Sequence, residues 1–184
     1  MYNSTLKEEL DYFVNKYNNT GFITNDPISI AHQFSLKEDI EIISILVSTI
    51  AWGNRVSIIK SGEKLVQLMN GEPYKFLLKY TEKDIHLLGE FKHRTFNCFD
   101  LHFYLLRLQH IYKNYNGIEA VFEKGFTIDG KASTAISFYR NIIIGKEFLG
   151  IRTSKHIANP QKGSAAKRLN MFLRWMVRKD NNGV

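Results

Sequence analysis

The chain has 184 residues, 44% of them hydrophobic and 23% charged, which suits one domain with a proper core and excludes a disordered or low-complexity segment. Its single cysteine, Cys98, excludes an internal disulfide and a cysteine-ligated iron–sulfur cluster, and no apolar run is long enough to cross a bilayer. The formal charge is +7, and the polar start Met1-Tyr2-Asn3-Ser4 is no signal peptide, so a cytoplasmic protein with no membrane contact is expected.

The spacing predicts helices throughout. Thr5 with Glu8 reads as a capping box, followed by Leu6, Leu10, Phe13, Val14 and Tyr17 on one helix face, and Asn18-Asn19-Thr20-Gly21 ends that helix. Asp26-Pro27 starts a short helical piece that reaches Phe34. Ser35 and Glu38 form a second box ahead of a run to Trp52 that is apolar almost all round, the pattern of a central buried helix. Gly53-Asn54 supply a left-handed exit, and Arg55 stands where the next helix, Val56 to Met69, begins. Glu72-Pro73 restarts a short helix, and Thr81 with Asp84 starts another through Leu88.

In Phe91-Lys92-His93-Arg94-Thr95-Phe96-Asn97 basic groups alternate with aromatics, a pattern that either grips phosphates and stacks on bases or buries Phe91 and Phe96 in the core. A long helix runs on through Tyr115, a short one covers Ile118–Phe122, and after Asp129-Gly130 another extends from Lys131 to Ile144. Sustained strand alternation is absent, so the fold class is all-α: a multi-helix bundle, one helical domain over 1–184. The histidines at 32, 86, 93, 102, 110 and 156 never fall at the helical i, i+4 spacing of a zinc site, so neither a metal nor a cofactor is expected.

Charge singles out the end of the chain. After Leu149 come eight basic residues and one acid, Asp180, which accounts for the whole +7 and leaves the first 149 residues neutral. A field this local favours a polyanion at one place. Five of the eight lie in Gly163–Lys179. As a helix, this stretch sets Lys167, Met171, Arg174 and Arg178 on a mostly cationic stripe and Leu169, Phe172, Leu173 and Met176 on an apolar one. Asn159-Pro160 breaks any incoming helix and Gly163 permits a tight turn, so residues 157–179 read as a hairpin opening into a basic helix whose free N–H groups attract phosphate.

The run from His156 to Asp180, with Lys162-Gly163-Ser164-Ala165-Ala166-Lys167-Arg168-Leu169-Asn170-Met171-Phe172-Leu173-Arg174-Trp175-Met176-Val177-Arg178 at its centre, resembles the signature of an uncharacterised bacterial family of unknown function. That family is itself similar to the helix-hairpin-helix (HhH-GPD) DNA glycosylases. The resemblance also takes in Asp26-Pro27-Ile28, Ala51-Trp52-Gly53-Asn54-Arg55 and Phe91–Asn97. In the glycosylases with lyase activity the hairpin reads Gly-x-Gly-x-Lys, and the lysine is the nucleophile. Gly163 and Lys167 match its first glycine and its lysine, while Ala165 stands at the second glycine.

The resemblance implies an orthogonal helical bundle lacking the C-terminal part of the glycosylase fold. It also implies DNA as partner, through backbone phosphates and a flipped nucleotide. Lys167 then has two available roles, Schiff-base nucleophile or phosphate contact. The hairpin and helix residues Lys162, Gly163, Ser164, Ala165, Arg168, Arg174 and Arg178, with Asn54, Arg55, His93 and Arg94, are the implied DNA contacts, although Asn54 and Arg55 read equally well as a helix cap and a solvated side chain. The glycosylases carry an aspartate in a segment downstream of the lysine. This chain stops at Asn181-Asn182-Gly183-Val184, so a truncated domain without that catalytic partner is expected, with Asp180 a helix-end acid. The rival readings are a non-catalytic nucleic-acid-binding module and a helical interaction domain that uses the apolar face around Trp175.

Overall fold

The computed structural model describes residues 4–179; Asp180 and the residues after it lie outside that range. Eight α-helices form the frame: α1 (Ser4–Tyr17), α2 (Lys37–Ile50), α3 (Arg55–Leu68), α4 (Pro73–Lys79), α5 (Cys98–Tyr115), α6 (Ile118–Phe126), α7 (Ala132–Ile144) and α8 (Lys167–Val177). The all-α expectation holds at this level. Several short pieces between them are 3-10 turns, notably Pro27–Gln33, Glu82–Leu88, Arg152–His156 and Pro160–Lys162. The one sheet among the described residues is a minimal antiparallel pair, β1 (Lys92–His93) and β2 (Phe96–Asn97).

The helix expected at the centre is there. Every residue from Glu41 to Ile50 is buried, and α3, α4, α6, α8 and the 27–33 turn all pack around α2. A surface that is apolar almost all round, with only Glu41, Ser44, Ser48 and Thr49 polar among its buried residues, drives such a helix into the core. α5 forms the second axis of the core, with Leu101, Tyr104, Leu105, Leu108 and Ile111 buried against α4, α6 and α7. α6 and α7 pack so closely that a Cβ on Gly125 would stand 2.7 Å from the Ala135 Cα.

The caps explain where elements start. Asp26 accepts a hydrogen bond from the Ile28 N–H at 3.1 Å, and Thr81 and Asp84, expected to start a helix, form a capping box, with the Thr81 N–H donating to Asp84 Oδ2 at 2.8 Å. Two expected boxes differ. Thr5 already lies inside α1. The Ser35 box is not made: Leu36 is the N-cap of α2, with no side-chain hydrogen bond. Asp39 in its first turn accepts instead from the Tyr74 N–H at 2.7 Å and so seats the start of α4. The structure adds a box that the sequence reading does not include: Asn97 and Asp100 cap each other's backbone at the start of α5.

α1 departs most from its pattern. Its stripe has helical spacing, yet Leu6, Leu10, Phe13, Val14 and Tyr17 are 42% to 56% exposed.

Candidate nucleic-acid interface

Four segments distant in sequence meet around half-buried Trp52: the end of α2, the β1–β2 hairpin, the Arg152–His156 turn and the start of α8. Trp52 leaves α2 just before Gly53, whose φ of 102° is open to glycine and strained for other residues. The missing Cβ makes room for a cation, since one built there would fall 2.1 Å from Arg94 Nη1. Arg94 itself sits at φ 55° in the two-residue turn of the hairpin, and its side chain is exposed.

The imidazole of His156 stacks on Trp52 with centroids 5.6 Å apart, and the guanidinium of Arg168 lies 4.8 Å from the Trp52 ring centre. Arg168 also donates to the carbonyl of Thr49 at the last turn of α2, where a cation meets the negative end of the helix dipole. Arg168 is thereby a tie between α8 and α2 rather than a side chain held out to a ligand.

Asp100, 1% exposed, anchors the underside. Its carboxylate accepts from Arg152 Nη1 at 2.6 Å, from the Thr153 hydroxyl at 2.8 Å and from the Asn97 N–H at 3.0 Å, while Arg152 Nη2 donates to the Thr95 carbonyl at 2.7 Å. Burial pushes the Asp100 carboxyl up, but hydrogen bonds from Arg152, Asn97 and Thr153, with His156 nearby, outweigh it and hold the group below the ordinary carboxylate value. His156 Nε2 is 3.6 Å from Asp100 Oδ2 and has no hydrogen-bond partner. Burial lowers its pKa despite Asp100, and Lys155, Arg168 and Arg152 push the same way, so the ring is neutral near pH 7.

The hairpin before α8 is tightly made. Lys162 and Ser164 N–H groups donate to the Asn159 carbonyl at 3.1 and 3.2 Å, and Gly163 turns at φ 81°. The Ser164 hydroxyl accepts from the Ala166 N–H at 3.2 Å, and Asn170 Nδ2 donates to the Ala165 carbonyl at 3.0 Å. Ala166, left-handed at φ 48°, is the N-cap of α8 and makes no side-chain cap. The conformation that the sequence places at glycines thus falls on Ala166, while Ala165 is not among the positive-φ residues. Arg140 on α7 donates to the Ser154 carbonyl at 3.2 Å and to that of Ile157, which fastens the hairpin from behind.

The predicted site residues fall in several different settings. Lys162, Gly163, Ser164, Ala165 and Lys167 are exposed on the hairpin and at the head of α8, and Arg174 is exposed further along it. Arg178, half-buried, reaches Asn18. Asn54 caps α3 by accepting from the Ser57 N–H at 3.3 Å, and Arg55 lays its guanidinium 5.7 Å from the Phe22 ring centre. His93 is turned inwards: its Nε2 donates to the Trp52 carbonyl at 3.2 Å, which leaves Nδ1 to accept from the Ser61 hydroxyl at 2.9 Å. Phe91 and Phe96 are core residues, so the alternation of bases and aromatics there is largely packing. Sequence reasoning missed Asp100, Arg152 and His156 as a unit. The Asn97-x-x-Asp100 capping spacing was the one local signal for it.

These features define a helical protein with a cationic, tryptophan-centred end. The family described as "Protein of unknown function (DUF2400)" matches residues 26–184, and the chain belongs to it. No curated protein and no solved structure matches the chain. Among the described residues no helix is long and apolar enough to cross a membrane, and no group of three or more His, Cys, Asp or Glu residues could hold a metal ion.

Proposed function

We propose that the protein binds DNA through backbone phosphates, with the hairpin and the head of α8 as the contact, and that it is a relative of the helix-hairpin-helix DNA glycosylases. The observation that carries this reading is the exposure of Lys162 and Lys167 at the start of α8, where Arg168 lies over Trp52 and Arg94 stands beside Gly53, while the Asp100 carboxylate is buried and already paired with Arg152. The arrangement suits a chain of phosphates. Backbone N–H groups at an uncapped helix start and flexible ammonium groups can follow it without reading bases.

A narrower role makes Lys167 a nucleophile. A neutral amine there would attack the sugar C1′ of a flipped nucleotide, displace the base and form a Schiff base that permits strand cleavage. Its position as the first residue of α8 and its exposure favour access. However, it lines neither the cavity of about 320 Å³ beside α4 nor the groove of about 670 Å³ between α2, α6 and α8, so a phosphate contact is the role its surroundings support better.

Borohydride reduction of mixtures with abasic and intact duplexes separates the two roles. The expected result is reversible binding to both duplexes and no covalent adduct. An adduct on abasic DNA that disappears in Lys167→Gln would instead make Lys167 the nucleophile. Failure to bind either duplex at low salt would remove the DNA reading altogether.

A further inference from the structure

Among the described residues, two apolar surfaces are left largely uncovered. One is the stripe of α1, where every residue from Thr5 to Tyr17 is exposed. The other is a groove of about 670 Å³ between α2, α6 and α8, lined by Ile40, Phe122, Leu173, Trp175, Met176 and Val177. Val177 is 68% exposed at its edge. On the groove's polar edge Glu41 accepts from the Tyr112 hydroxyl at 2.7 Å and Lys37 pairs with Glu119, and Glu123 lies beside them.

We infer that the groove receives α1 of a second copy of this chain, in a reciprocal dimer. A 14-residue helix with its whole length in water is marginal by itself, because nucleation costs more than so few turns return. Burying the apolar stripe supplies the missing stability. The stripe follows i, i+4, i+7, i+8, i+11, the spacing by which an amphipathic helix enters an apolar groove.

The amounts are also sufficient. Large side chains bury roughly 150–250 Å² each, so a half-exposed five-residue stripe offers on the order of 500 Å². Adding the smaller groove surface it covers and the symmetry-related pair, the dimer buries roughly 1,400 Å², within the range of a specific interface. Each copy carries one helix and one groove, so a two-fold axis satisfies both and the assembly closes. The groove opens where α2 starts, and Trp52 lies beyond the other end of that helix, about 20 Å away at 1.5 Å per residue. Dimerisation therefore leaves the proposed DNA contact uncovered, and it stands or falls independently of that reading.

The test is sedimentation of the full chain without nucleic acid. The wild type sediments as a dimer at micromolar concentration. Leu10→Glu, on the helix, and Val177→Glu, on the groove edge, each weaken dimerisation at least about tenfold by placing a charge in an apolar contact. Both positions are exposed, so the core helices stay folded and the helical circular dichroism falls by no more than α1 contributes. Mixing the two variants restores a weaker heterodimer, because the intact helix of one still meets the intact groove of the other. A monomeric wild type, a variant that remains dimeric, or a mixture that stays monomeric overturns the inference. A monomer whose α1 is protected would mean that its own helix occupies the groove.

Discussion

Asp100→Ala should cost about 3–5 kcal/mol of stability, the range for breaking a buried pair by removing one partner. The loss is spread over several groups. The substitution takes the acceptor from Arg152 and Thr153 and also from the Asn97 N–H, so it removes half of the box that starts α5. Arg152 keeps half of its side chain in water, which places the expected value towards the lower end. Asp100→Asn, which preserves volume and one acceptor oxygen, should lose less.

The pH dependence gives an independent sign. Because the folded carboxyl titrates below its ordinary value of 3.8, its contribution is complete above that pH and fades as the solution is acidified through the lower folded value. His156 acts in the same direction at higher pH. Its folded pKa lies below 6.5, so the unfolded chain takes up the proton first and stability begins to fall as pH drops below 6.5. Urea titrations of wild type and Asp100→Ala should therefore differ by a constant amount from pH 7 down to about pH 4 and converge as the pH falls below 3.8. Curves that stay parallel well below pH 3.8 would mean that Asp100 is not held as described.

Phe172→Ala is expected to cost about 3–5 kcal/mol as well, by emptying a core position. Phe172 is 1% exposed and packs 5.8 Å, centroid to centroid, from Phe122 on α6. With Leu169 it is one of the two buried apolar residues within α8, so its loss also loosens the helix that carries Lys167. Denaturation should show the stability loss, and DNA affinity should fall with it. Stability unchanged to within about 1 kcal/mol would mean that α8 is not docked on α2 and α6 as the structure has it.

Local chemistry made much of this fold legible. The run to Trp52, apolar almost all round, marked a buried helix, Asp26-Pro27 marked the start of a short helical piece, and Asn159-Pro160 with Gly163 marked a turn before α8. The site was half-legible. The cations at 162 and 167 could be read from charge asymmetry, but the set around Trp52 depends on pairings such as Arg168 with Thr49 and Arg152 with Asp100, 119 and 52 residues apart, which no local spacing encodes. Left-handed turns at Arg94 and Ala166 were equally hidden, since neither is a residue type that advertises them. The stripe on α1 misled in another way. Periodicity marks a face that wants burial without saying whether the partner belongs to the same chain.

The central claim is most directly tested by fluorescence anisotropy of a labelled duplex across a salt series, comparing wild type with Lys162→Gln/Lys167→Gln. If both ammonium groups neutralise phosphates, log K falls linearly with log salt, and the double variant lowers the slope by about two, near 0.9 for each phosphate left without its ammonium. An unchanged slope, or no binding by the wild type at low salt, would contradict the claim that these two lysines hold the DNA backbone.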